Sequence, residues 1–154
     1  MRGHFAYSKR GVFLEKSKTM PTLTVEQCEK ILGGVCFKDG FHFYWNLEHY
    51  TGKTATRLAD FIKIIQEIDL QSIEFHNSIN GFEKWFEELG DSELAEKMRE
   101  IRKSKISGEA LRQKIFQVAK KRYDELLETY YKLKVNDQFK VVKTTKFENE
   151  TLHK

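Results

Sequence analysis

The chain has 154 residues, 40% hydrophobic and 13% aromatic, enough for one domain with a single core and too apolar for a fully disordered chain. Its formal charge of +4 is unevenly spread: residues 1–53 hold eight basic and five acidic groups, 54–92 three and eight, and 93–146 fifteen and eight. Two cysteines eight residues apart, no apolar run of roughly 18 residues and no signal-like apolar core at the N-terminus argue against a disulfide scaffold and a spanning helix. They read as free thiols in a cytoplasmic protein.

Residues 1–20 carry five basic groups among scattered apolar ones and read as a flexible basic arm. A helical domain is expected over 21–134. Its first helix lies in "TLTVEQCEKILGG", where Thr24 and Gln27 fit a capping box and Gly33-Gly34 a stop. "VCFKDGFHFYW" is strand-like. Val35, Phe37, Phe41, Phe43 and Trp45 share parity, and Asp39-Gly40 suits a tight turn, so the segment is expected as an extended aromatic stretch or a β-hairpin.

From Thr54 onward the apolar spacing turns helical. Leu58, Phe61, Ile62, Ile65 and Ile68 predict an amphipathic helix over 55–68, and Asp69 is placed to cap the next. Gly81 precedes the stripe Phe82, Trp85, Phe86 and Leu89, and Gly90-Asp91 reads as the stop of that helix and the cap of another. After "KSKISG" a long helix runs from 109 to about 133. Residues 135–154 are expected to form a tail, with a short strand in "QFKVVKTTKF". The fold class is therefore mainly α: a compact bundle of five to six helices with one short aromatic-rich extended or hairpin segment.

"TGKT" at 51–54 resembles a phosphate loop, but Leu47 stands where G-x-x-x-x-G-K-[ST] needs glycine. A weaker anion site remains open, with free amides at a helix start near Thr54–Arg57 helped by Lys53 and Arg57. The alternative is that Gly52 permits a turn and Thr54 or Thr56 caps a helix. No H-E-x-x-H and no paired-cysteine knuckle is present, so no metal, cofactor or catalytic residue is assigned. His42, Tyr50, His76 and Trp85 are candidates for lining a pocket. A basic stretch offers Lys97, Arg99, Arg102, Lys103, Lys105, Arg112, Lys120 and Lys121, with Arg122 extending it, for contact with a phosphate backbone. Glu96, Glu100 and Glu109 interrupt that face, which could equally be a salt-bridged solvent surface.

The aromatic pair Phe41/Phe43, the Tyr50-Thr51-Gly52 turn, the Leu58/Phe61 helix, "SIEFH" ending at His76, "FEKWFEELGD" and "SGEALRQKI" carry a resemblance. Over roughly 37–128 the chain resembles a family of small helical archaeal and bacterial proteins known as a domain of unknown function. The resemblance implies a helical fold, a cytoplasmic setting and a common feature around Tyr50, Gly52, Lys53, His76 and Trp85. It transfers no catalytic residue.

Three functions stay in play. The first is a non-catalytic protein binding an acidic partner, nucleic acid or a protein surface, through the basic helical face. The second is a sensor or enzyme with a pocket around His42 and His76. The third is an assembly module forming a homodimer through residues 109–133. No membrane partner is expected.

Overall fold

The described residues form a two-stranded antiparallel hairpin and six α-helices. The computed structural model describes residues 22–152, with side chains through residue 140. The expected arm at 1–20 lies outside the described residues. Helix α1 (Val25–Gly33) opens with the capping box: the Thr24 hydroxyl accepts from the Gln27 N–H at 3.1 Å, and Gln27 accepts from the Thr24 N–H at 2.8 Å. Gly34 closes it at φ 86°, where a Cβ would fall 2.3 Å from the Thr56 carbonyl oxygen. Only glycine combines that backbone with so close an approach.

The hairpin is β1 (Phe41–Asn46) and β2 (His49–Ala55). Its turn is at Leu47-Glu48, not at Asp39-Gly40. Asn46 Oδ1 accepts from the N–H groups of Glu48 and His49 at 2.9 and 3.1 Å, the Asx turn that asparagine offers without glycine. Asp39-Gly40 instead ends a short 3-10 turn, Phe37–Asp39, that leads into β1. The register shifts after Phe43 and again after Tyr44, while Gly52 sits at φ 87° in β2. "TGKT" lies within β2, so Thr54 belongs to a strand.

Helices α2 (Leu58–Glu67), α3 (Leu70–Ser78), α4 (Gly81–Leu89) and α5 (Ser92–Ser104) follow. Gly90 at φ 93° ends α4, and Asp91 caps α5 by accepting from the Leu94 N–H at 3.1 Å. Asp69 precedes α3 without a side-chain cap bond; its carboxylate accepts from Trp45 Nε1 at 2.9 Å. The core centres on Phe61, whose ring lies 4.9 to 6.1 Å from those of Phe41, Phe43, Phe82, Trp85 and Phe86. Aromatic pairs at such separations add stabilisation beyond the area they bury.

Helix α6 (Gly108–Leu152) is 45 residues long, about 67 Å at 1.5 Å per residue. Leu111, Ile115, Ala119, Arg122 and Leu126 bury one side of it. Residues 135–152, expected to hold a tail with a short strand, continue this helix. "VVKTT" has strand-forming side chains, but β propensity is expressed only against a neighbouring strand. With neither Gly nor Pro after Gly108, propagating the existing helix costs no new nucleus.

Candidate functional site

Phe41 and Phe43 point inward and are buried, which leaves His42 and Tyr44 on the other side of β1. A strand edge presents unpaired N–H and C=O groups, and on β1 helix α3 satisfies them with side chains. Tyr44 N–H donates to His76 Nε2 at 2.8 Å, and Ser72 Oγ donates to the Tyr44 carbonyl at 2.8 Å. Asp69, Ser72 and His76 are three and four residues apart, so one helix face holds both Tyr44 and Trp45. Sequence reasoning passed over Ser72, although the spacing Asp69/Ser72/His76 was there to be read.

His76 is 6% exposed and ringed by Phe41, Phe75 and Phe43 at 4.7, 5.0 and 6.0 Å. Burial pulls its pKa down to about 4. Because Nε2 accepts a backbone N–H, the ring is neutral with its proton on Nδ1. Trp85 is equally interior, and its Nε1 donates to the Asp39 carbonyl at 3.0 Å. The structure thus separates the four pocket candidates. His76 and Trp85 are structural donors and acceptors of the core, while His42 and Tyr50 stand together on the outer face of the hairpin.

On that outer face the Thr54 hydroxyl lies 2.8 Å from His42 Nδ1 and 2.6 Å from the Tyr50 hydroxyl. The rings form a continuous row: Phe37 to His42 at 5.1 Å, His42 to Tyr50 at 6.0 Å, Tyr50 to Tyr44 at 5.4 Å. Phe37 is 63% exposed and Tyr50 40%. Phe37 and Tyr44 were not among the candidates, because strand parity alone does not say which face of a hairpin meets solvent. Lys53 pairs with Phe43 in the register and so projects to the opposite side of the sheet from this row. The common feature implied around Tyr50, Gly52, Lys53, His76 and Trp85 is therefore divided between two faces.

At Thr54–Arg57, where the sequence suggested a weak anion site, Asp60 is the partner of Thr56 and Arg57. Thr54 is in the strand ladder, and Asp60 Oδ2 accepts from both the Thr56 N–H at 3.3 Å and the Thr56 hydroxyl at 3.0 Å. A carboxylate already occupies the place an anion would take, and Arg57 pairs with it at 3.5 Å.

The late cations divide in the same way. Glu83, buried on α4, receives Arg102 through Nε at 2.6 Å and Nη2 at 3.4 Å, and Arg99 at 3.4 Å. Arg99 also pairs with Glu96. Arg112 pairs with Glu109 at 3.1 Å and donates to the Ile65 carbonyl at 2.6 Å, tying α6 to the end of α2. Lys120 and Lys121 reach Asp124 and Glu125 one turn on, at 2.6 and 3.9 Å. Arg122, read as part of the exposed positive stretch, is buried: it meets Asp91 at 2.9 Å and Glu93 at 2.5 Å. Burial acts against its charge, but the hydrogen bonds and charges of Asp91, Glu93 and Glu125 outweigh it and hold the guanidinium above its ordinary pKa. Among the described residues, Lys53, Lys97, Lys103 and Lys105 are in no ion pair.

A cleft of about 600 Å³ beside the Asp91–Arg122 pair is lined by Gln27, Ser92, Glu93, Glu96 and Thr129 among others, and by none of the four pocket candidates. Among the described residues, no three or more His, Cys, Asp or Glu converge as a metal site, and no helix is long and apolar enough to cross a membrane. Cys28 is buried and Cys36 exposed; both are free thiols. A family described as of unknown function, DUF5752, matches residues 35–120, a span that holds the hairpin and α2 to α5 entire. No curated protein and no solved structure matches the chain.

Proposed function

The chain belongs to the DUF5752 family of unknown function, and we propose that it is a non-catalytic binding protein whose partner is single-stranded nucleic acid. The row Phe37, His42, Tyr50 and Tyr44 carries this reading. Planar side chains side by side on a strand face take unpaired bases by stacking, at about 1–3 kcal/mol per base and with little sequence preference. The clamp of Tyr44 by Ser72 and His76 supports it by fixing the platform before any partner arrives. Thr54 orients two of the rings through one hydroxyl.

The phosphate backbone then needs cations that no carboxylate has claimed. Lys97, Lys103 and Lys105 suit that role better than Arg99, Arg102, Arg112, Lys120 and Lys121, whose charges are engaged within the fold. The role expected of a basic helical face thus passes largely to the aromatic hairpin, with a few lysines assisting.

Fluorescence anisotropy with labelled 12-nucleotide oligo-dT, oligo-U and a matched duplex tests the reading. Single strands are expected to bind more tightly than duplex, with affinity falling as salt rises. Phe37→Ala and Tyr50→Ala should each weaken binding about tenfold, and Lys103→Glu should flatten the salt slope. Absence of single-strand binding, or binding indifferent to both ring removals, rejects it.

A further inference from the structure

The cleft of about 600 Å³ is walled by α1, the start of α5 and α6, and Arg122 is part of its lining. The Arg122 side chain is only 8% exposed. Its Nε donates to both oxygens of Asp91, at 3.1 and 2.9 Å, and Nη1 donates to Glu93 at 2.5 Å. Nη2 makes no hydrogen bond to the described residues. A buried donor left without an acceptor costs free energy, and here that donor belongs to a residue lining an open cavity. Gln27 lines the same cleft. Its Oε1 accepts from the Thr24 N–H at 2.8 Å, which fixes the amide and leaves Nε2 without an acceptor among the described residues. Glu93 gives Oε2 to Arg122 and keeps Oε1. The Thr129 hydroxyl, two turns beyond Arg122 on α6, can donate or accept.

We propose that this cleft binds a small neutral polyhydroxylated molecule of monosaccharide size. Its oxygens accept from Arg122 Nη2 and Gln27 Nε2, and its hydroxyls donate to Glu93 and Thr129. Each hydroxyl both donates and accepts, which suits a wall that offers unclaimed donors and acceptors from three helices. The volume falls within the range of about 300–1,000 Å³ usual for small-molecule sites. Charge selects a neutral ligand. An anion would enter beside Asp91, Glu93 and Glu96, and a cation beside the Arg122 guanidinium, where those carboxylates are already paired with Arg122 and Arg99. Among the described residues no aromatic ring lines the cleft, so a planar base finds no ring face to stack on. The cleft shares no residue with the hairpin row, and the proposal does not rest on the single-strand reading. Three of its polar groups, Gln27, Arg122 and Thr129, lie outside the family match. With few hydrogen bonds and no ring contact, affinity in the millimolar range is expected.

Nuclear magnetic resonance titration of the full chain with glucose, into the tens of millimolar, is the test. Glucosamine and gluconate serve as cationic and anionic probes of nearly the same size. Glucose is expected to move the Arg122 Nε–H resonance and to bind more tightly than either charged probe. Gln27→Glu keeps the acceptor of the capping box but removes the Nε2 donor, and Thr129→Val removes a hydroxyl at nearly constant volume. Each should weaken glucose about fivefold with an unchanged far-ultraviolet circular dichroism spectrum. Failure of glucose to bind overturns the proposal, leaving Nη2 to solvent. So does glucose binding that leaves the Arg122 resonance in place or is indifferent to both substitutions. Glucosamine or gluconate binding as tightly as glucose refutes the choice of a neutral ligand.

Discussion

Two of the buried polar anchors in this molecule work by different physics. At the hairpin, the neutral ring of His76 and the hydroxyl of Ser72 take the N–H and C=O of Tyr44. At the start of α5, the carboxylates of Asp91 and Glu93 take the guanidinium of Arg122 from α6. Each joins segments distant in sequence, and each satisfies groups that burial would otherwise leave without water. The neutral anchor fixes a backbone at modest cost. The ionic anchor holds charges whose separation would be severe, because Asp91 without Arg122 is a fully buried carboxylate with no cation beside it. The family match spans the first anchor whole and stops at residue 120, two residues before Arg122.

The contrast can be broken most sharply at Asp91. Asp91→Ala removes the α5 cap and takes from Arg122 its fully buried partner, leaving it the part-exposed Glu93, and a loss of about 3 kcal/mol is expected in urea unfolding. The neutral anchor should show itself through pH. His76 titrates at about 4 in the fold against 6.5 unperturbed, so between those values the unfolded chain binds more protons than the native one. Its contribution is therefore complete above pH 6.5 and lost as pH falls towards 4. The full displacement is worth about 3 kcal/mol. His76→Gln, which accepts without titrating, should flatten this part of a stability–pH curve; a curve equally steep in the variant would mean that other groups carry the acid sensitivity.

Smaller effects sharpen the same comparison. Ser72→Ala leaves the Tyr44 carbonyl without its side-chain donor and should cost about 1 kcal/mol, with amide exchange in β1 faster than in β2. Tyr50→Phe removes only an exposed hydroxyl bonded to Thr54, and a change within about 0.5 kcal/mol is expected in thermal unfolding. If Tyr50→Phe destabilised as much as Ser72→Ala, the outer face of the hairpin would be structural rather than a free surface.

Local chemistry was legible wherever it is decided within a few residues. Thr24 with Gln27, Gly34, Gly90 and Asp91 cap or stop their helices in the structure, because a cap needs only an orphan amide and an acceptor one turn away. The mainly helical fold, with its aromatic hairpin, was readable from periodicity for the same reason. The hairpin turn was misplaced because Asn46 makes the turn that Asp39-Gly40 appeared to offer. The tail was misread because strand-forming residues found no strand to pair with.

What the sequence could not decide was which charge meets which. Arg122 and Lys121 are neighbours in the chain, yet one is buried against Asp91 and the other reaches Glu125 at the surface. His42 and His76 look alike in composition, yet one faces outward beside Thr54 and the other accepts a backbone amide in the core. Burial and ion pairing depend on which distant elements the fold brings within a few ångströms, and neither spacing nor propensity carries that distance. The sequence by itself determined the helices, their ends and the aromatic strand; only tertiary packing sorted its cations and histidines into those that hold the fold and those that stand at the surface.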